Sequence, residues 1–206
     1  MRMRRLATYV LLAFLPVLSF ASDRTKQESR FTYGAEWGYI FTFYNAYHYN
    51  FFSPDGWRVN EKQTGLCGYS NAEVYIHAGC NLSDKWNLSA YAGYSALQDK
   101  NHCIPVSIRA TRYFRENEMG DRWLAYMDMG SGVSIKKNPQ EIFMGKVGTG
   151  YRFSLSERTK MDVLASFRMT YGHSNIKFEN TQISFDRINR NNFYGCAVSV
   201  GLSLTF

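Results

Sequence analysis

Histidine and serine stand side by side in the stretch YGHSN, as His173 and Ser174, with Asn175 next. A serine nucleophile needs its histidine base within hydrogen-bond reach, about 3 Å. Neighbours on a strand point to opposite faces, so this pair is badly placed for proton transfer. His48, Ser53 and Asp55 fall within one segment, NAYHYNFFSPDGW, but match no hydrolytic motif. Glu73 and His77 share a strand face four residues apart, too far for direct contact. A metal site built from His48, His77, His102 and His173 would need a coincidence of fold. The chain therefore offers no catalytic, cofactor-binding or metal constellation that its spacing supports.

A second group of titratable residues is better ordered. Glu36, Glu73, Asp128 and Asp162 are matched in number by Arg109, Lys146, Arg152 and Arg168. Each lies in the middle of an alternating segment, on the face carrying Gly, Ser and Thr. Burying a charge without a partner is costly. Equal numbers of each sign on one face predict a paired interior network.

The elements that would position these residues are eight segments of period two, the signal of a β-strand. They are FTYGAEWGYIFTFY, YSNAEVYIHAG, WNLSAYAGYSA, IPVSIRATRYF, WLAYMDMGSGVSI, FMGKVGTGYRF, MDVLASFRMTY and NFYGCAVSVGLSLTF. Each is long enough to cross a bilayer at a tilt, about 9–11 residues. The links NLSDK, RENEMGDR and SLSERTK are turn-like. The first and last links, residues 45–65 and 174–190, are long. Within the first, Pro54-Asp55-Gly56 would turn a strand pair that runs past the bilayer, a reading preferred to an aromatic loop surface.

The first residues are set apart. Arg2, Arg4 and Arg5 precede a short apolar run, and Ser19-Phe20-Ala21 supplies small residues for cleavage, so 1–21 reads as a signal peptide. Residues 22–206 then form one domain. Removing the three leader arginines lowers the formal charge from +7 to +4. The basic residues are scattered and accompany no binding motif, which argues against a nucleic-acid partner. Export permits disulfides, and free thiols or one bridge involving Cys67 and Cys103 both remain open.

Alternation has two solutions. A soluble ligand-binding barrel puts apolar residues inside, and a membrane barrel reverses this. The small, charge-poor polar face favours the second, since a solvated exterior would carry more Lys and Glu. Aromatics also gather at the short-turn ends: Phe31, Tyr33, Trp86, Phe114, Trp123, Phe153 and Phe206. They predict an interfacial girdle, with Tyr44, Tyr94, Phe143, Tyr171 and Phe193 as a second belt.

This pattern, with the closing VSVGLSLTF, resembles the small eight-stranded outer-membrane barrels of the OmpA and OmpX type over residues 31–206. The resemblance implies an all-β, eight-stranded antiparallel up-and-down transmembrane β-barrel in the outer membrane of a diderm bacterium. It implies contact with outer-membrane lipid, and reading by the barrel-assembly machinery of Phe206, Leu204, Leu202 and Tyr194. The expected function is structural, adhesive or surface-binding, through outer loops 45–65 and 174–190. The lumen is expected to be plugged by side chains and the protein not to be an enzyme. A lipid-modifying hydrolase or acyltransferase is the alternative.

Overall fold

The computed structural model describes residues 30–206 apart from 99–100, 117–119, 136–140, 157, 174–176, 179–180 and 183–186. The leader 1–21 lies outside the described residues. The barrel strands are β1 (Phe31–Phe52), β2 (Arg58–Ser83), β3 (Trp86–Gln98), β4 (Asn101–Glu116), β5 (Arg122–Ser134), β6 (Glu141–Ser154) and β7 (Lys160–Gly172). A small hairpin follows, β8 (Lys177–Phe178) and β9 (Thr181–Gln182), and then the last barrel strand, β10 (Ile188–Thr205). Each barrel strand pairs antiparallel with its chain neighbour, and β10 returns to β1 to close the ring.

Register fixes the geometry. Followed once around the wall, the pairing that leaves β2 at Cys80 returns to it at Ser70, ten residues away. Such a stagger tilts the strands by roughly 35–45° and sets the bore of an eight-stranded barrel. The shift is even, so inward positions stay inward after one circuit.

The polarity is that of a barrel turned inside out. On β2, Glu73 and Tyr75 are 2% and 3% exposed, whereas their neighbours Val74 and Ile76 are 52% and 68% exposed. The same contrast runs through β4, β5, β6 and β7, where Ile108, Met127, Val147 and Phe167 point outward. The soluble alternative requires the opposite arrangement and does not describe this chain.

The first long link is the extended strand pair expected of it: residues 45–52 and 58–65 are strand, because β1 continues to pair with β10 as far as Ile188 and with β2 as far as Arg58. The reversal is confined to Ser53–Trp57. There Gly56 takes φ +88°, its N–H donates to the Ser53 carbonyl at 3.0 Å, and the Ser53 N–H donates to the Trp57 carbonyl at 2.9 Å. Only glycine enters that conformation cheaply, and Pro54 pre-sets the preceding torsion. Within the last long link the chain forms the β8–β9 hairpin.

Close packing of the wall gives a test. A Cβ at Gly93 would overlap the Val74 carbonyl and the Tyr75 backbone, whereas one at Gly65 meets nothing within 4 Å. Gly93→Val is expected to lower stability by about 1–3 kcal/mol, and Gly65→Val to change it by less than about 0.5 kcal/mol. Urea unfolding of the refolded protein in detergent measures both.

Candidate functional site: the barrel interior

The interior is layered along the barrel axis. Nearest the short turns, Tyr113, Leu124, Tyr126 and Leu164 form one apolar cluster. Beside it, Arg152 makes a two-pronged pair with Asp162, with Nε and Nη2 each 2.7 Å from a carboxylate oxygen. These two residues face each other in the β6–β7 register, so their pairing is local.

The next layer is built on Arg109. Its guanidinium donates to both carboxylate oxygens of Glu36, at 2.5 and 3.0 Å, and to Asp128 at 3.1 Å. Asp128 is its direct partner across β4–β5. Glu36 instead reaches across the lumen from β1. Tyr91 and Tyr126 cover the guanidinium, with ring centroids 4.0 and 4.3 Å from its central carbon. A delocalised, weakly hydrated cation suits such a sandwich better than an ammonium would.

Above this lies Glu73, which accepts from Lys146 at 2.8 Å and from Arg168 at 3.1 Å. Lys146 and Arg168 oppose each other directly in the β6–β7 register. Two cations so placed repel, and Glu73, crossing from β2, holds them together. Arg168 also donates to Ser95 at 2.9 Å and to the Met144 sulfur at 2.7 Å, and Lys146 lies 4.6 Å from the Tyr75 ring. All eight charged residues singled out in the sequence are buried and joined in these three groups.

The sequence reading missed several interior residues. Arg122 is a fifth buried cation; it donates to the Asp84 carbonyl at 3.2 Å and lies over Tyr113. It precedes the first residue of the alternating segment, so the count of equal charges left it out. His77, which shares its strand face with Glu73 as expected, is buried and stacks on Tyr91 at 4.8 Å. Towards the long-strand end the interior turns apolar, with Leu97, Cys103, Ile142 and Met144 in one cluster. Period two within FMGKVGTGYRF already puts Met144 on the face of Lys146, and carried past the assigned segment ends it would have placed Leu97, Cys103 and Ile142 inside as well. A cavity lined by His77, Tyr91, Arg109 and Asp162 has about 20 Å³, room for a water molecule.

The remaining candidates fall in several places. Phe31, Tyr33, Phe114, Trp123, Phe153 and Phe206 are exposed on the outer face at the short-turn ends, and Trp86 is half-buried there. Tyr33 stacks on Phe206 at 5.7 Å, and the backbones of the two residues exchange hydrogen bonds. Leu204 and Leu202 are half-buried, and Tyr194 is exposed on the outer face. Phe193 departs from the expected second belt: it is 7% exposed and points inward, because outward positions on β10 are even-numbered.

The histidines occupy separate surroundings. His48 contacts Asn60 and Arg190, not Ser53. His102 meets the Tyr94 hydroxyl at 2.6 Å, and His173 hydrogen-bonds the Asn191 carbonyl. Ser174 and Asn175 lie outside the described residues. Cys67, Cys80, Cys103 and Cys196 are all free thiols.

The fold is that of the small outer-membrane barrels. OprG, an outer membrane protein of Pseudomonas aeruginosa, aligns with a TM-score of 0.51 and 10% identity, over 89% of this chain and 99% of that one. Neisserial surface protein A aligns with a TM-score of 0.50 and 11% identity, over 88% of this chain and all of that one. The outer membrane protease OmpT of Escherichia coli aligns at a TM-score of 0.37 and 7% identity, over 90% and 99% of the two chains. No protein-family model matches the sequence, and no curated protein is similar to it in sequence. The chain is an eight-stranded antiparallel up-and-down transmembrane β-barrel by fold; at these identities the likeness extends to the fold alone.

The pairing predicts a sharp asymmetry. Arg109→Leu strands Glu36 and Asp128 in the interior and is expected to cost about 3–5 kcal/mol. Asp55→Ala, in the exposed turn, is expected to shift stability by less than about 0.5 kcal/mol. Equal urea midpoints for the two would count against a buried charge network.

Proposed function

We propose that this protein is a non-enzymatic barrel of the outer membrane in a diderm bacterium, with a structural, adhesive or surface-binding role. The filled interior is the observation that carries the reading. Among the described residues, five buried cations, four carboxylates and an apolar layer occupy the bore, and the cavity beside Arg109 and Asp162 is only about 20 Å³. Such a lumen is plugged by its own side chains and is no general diffusion pore. With no roomy internal site among the described residues, any binding falls to the long-strand end, where β1, β2 and β10 rise past the wall.

The apolar outer face supports the membrane placement. Aromatic rings at the strand ends suit the headgroup boundary, where one edge is apolar and the other wet. Residues 1–21 would direct export and be removed. Phe206, Leu204, Leu202 and Tyr194 would be read by the barrel-assembly machinery as the closing strand arrives.

Two experiments test this. Membrane extracts run unboiled and boiled on a denaturing gel should give two mobilities, as a folded barrel resists the detergent until heated. Recovery in the soluble periplasmic fraction would overturn the placement. Phe206→Ser should reduce the folded, membrane-inserted form several-fold in cells while leaving refolding of the purified chain into detergent nearly unchanged. A loss in both settings would make Phe206 a stability residue and remove its role as a signal.

A further inference from the structure

Three strands outrun the rest of the wall. β10 last pairs with β7 at Phe193–Gly172, and β2 last pairs with β3 at Glu73–Ser95. Past these points, among the described residues, β10, β1 and β2 pair only with one another, as a three-stranded ribbon. A bulge at Phe43 resets its faces. Phe43 has no partner on either side, so inward positions on β1 change from even to odd. Tyr47, at 5.3 Å from Phe193, and the buried Phe51 therefore lie on the inner side.

The outer side of the ribbon is basic. His48 and Asn50 of β1 share it with Arg58, Asn60 and Lys62 of β2 and with Arg190 of β10. These groups are linked across the strands. Arg190 lies 3.4 Å from His48 Nδ1, His48 Nε2 lies 3.1 Å from Asn60 Oδ1, and Arg58 donates to Asn50 Oδ1 at 3.0 Å. Arg58, Lys62 and Arg190 are exposed, and among the described residues none of them meets a carboxylate. Glu61, opposite Tyr49, belongs to the inner side.

Height matters as much as charge. Phe143, Tyr171 and Tyr194 are register partners across β6, β7 and β10, and Tyr171 and Tyr194 touch at 4.9 Å. This is the aromatic edge of the apolar band. Lys62 and His48 lie two residues beyond that line, Arg190 four and Arg58 six. At about 3.3 Å per residue along a tilted strand, that is roughly 5 Å for Lys62 and His48, about 10 Å for Arg190 and about 15 Å for Arg58. Lys62 and His48 thus lie within the headgroup layer, about 5–8 Å thick on each side, with Arg190 and Arg58 at and beyond its outer edge.

We propose that this outer side is a binding site for the phosphate of a lipid headgroup in the surrounding leaflet. Arginine presents paired N–H donors that match phosphate oxygens, and Lys62 adds a flexible point charge. The bonds from Asn50 and His48 orient Arg58 and Arg190 before the ligand arrives. Acyl chains of the same lipid would lie on the exposed Tyr194 and Val198 below. The proposal rests on the membrane placement given above.

The test uses the mature chain refolded in detergent and titrated with dioleoyl phosphatidic acid or dioleoyl phosphatidylcholine, binding being read by native mass spectrometry. The expected result is about a tenfold preference for the phosphatidic acid. Arg58→Gln/Lys62→Gln/Arg190→Gln should abolish the preference, and Lys85→Gln, at the opposite rim, should keep it. Lys62→Gln alone, which breaks no bond within the ribbon, should reduce it about threefold. A preference that survives the triple and the single substitution overturns the site. Displacement of the lipid by millimolar inorganic phosphate, or by a soluble sulfated oligosaccharide, overturns the lipid assignment. The boiled and unboiled gel reads membrane insertion separately, so loss of headgroup preference in a properly inserted barrel refutes this site and leaves the placement standing.

Discussion

Closure between β1 and β10 is the constraint on which the rest depends. A strand edge facing hydrocarbon has no water to satisfy its N–H and C=O groups, so a sheet in that setting must leave no edge. The seam runs from Gly34–Thr205 upward, and the Tyr33–Phe206 hydrogen bonds finish it at the short-turn rim. Once eight strands close with a stagger of ten, the bore is set. Side chains have to fill it, and the wall must be thin where large ones stand. That is why Gly93 packs against the Tyr75 backbone and Gly148 against the Tyr126 ring.

Filling a narrow polar bore with charges is a delicate solution. Desolvating an ion costs several kcal/mol, returned only when partners and hydrogen bonds are complete. Here Arg109 has two carboxylates and two aromatic faces, and Arg152 has a two-pronged partner. Glu73 relieves the repulsion that the register imposes on Lys146 and Arg168. The arrangement also penalises misalignment. Slipping one strand by one residue would turn its charged side chain towards the apolar surroundings and leave a stranded partner inside.

The Phe43 bulge divides β1 into two functional parts. Below it, alternation serves the barrel, with aromatics outward and Glu36 inward. Above it, one extra residue reverses the phase, so Tyr47 and Tyr49 turn in and His48 turns out. A single unpaired residue thus lets one strand serve a lipid-facing wall and then a ribbon whose outer side is polar.

Much of this was legible in the residues. Period two, balanced mid-strand charges and aromatic ends were enough for eight strands, their inside and their outside. Each depends only on the chemistry of a residue and its parity along the chain. Errors came where parity was broken or cut short. Phe193 was assigned outward although its parity matches that of Gly195, and Arg122 was left out with the residue that starts its strand. Partner choice belongs to another level. Arg109–Asp128 and Arg152–Asp162 are neighbours across a hairpin, close enough for sequence to suggest. Glu36–Arg109 and Glu73–Lys146 each join residues 73 apart across the bore. Those contacts exist because the ring closes with one particular stagger. The amino-acid sequence determined which side chains share a face within each regular strand, since that follows from alternation. Only the closed barrel decided which of them meet, since that depends on bore and shear.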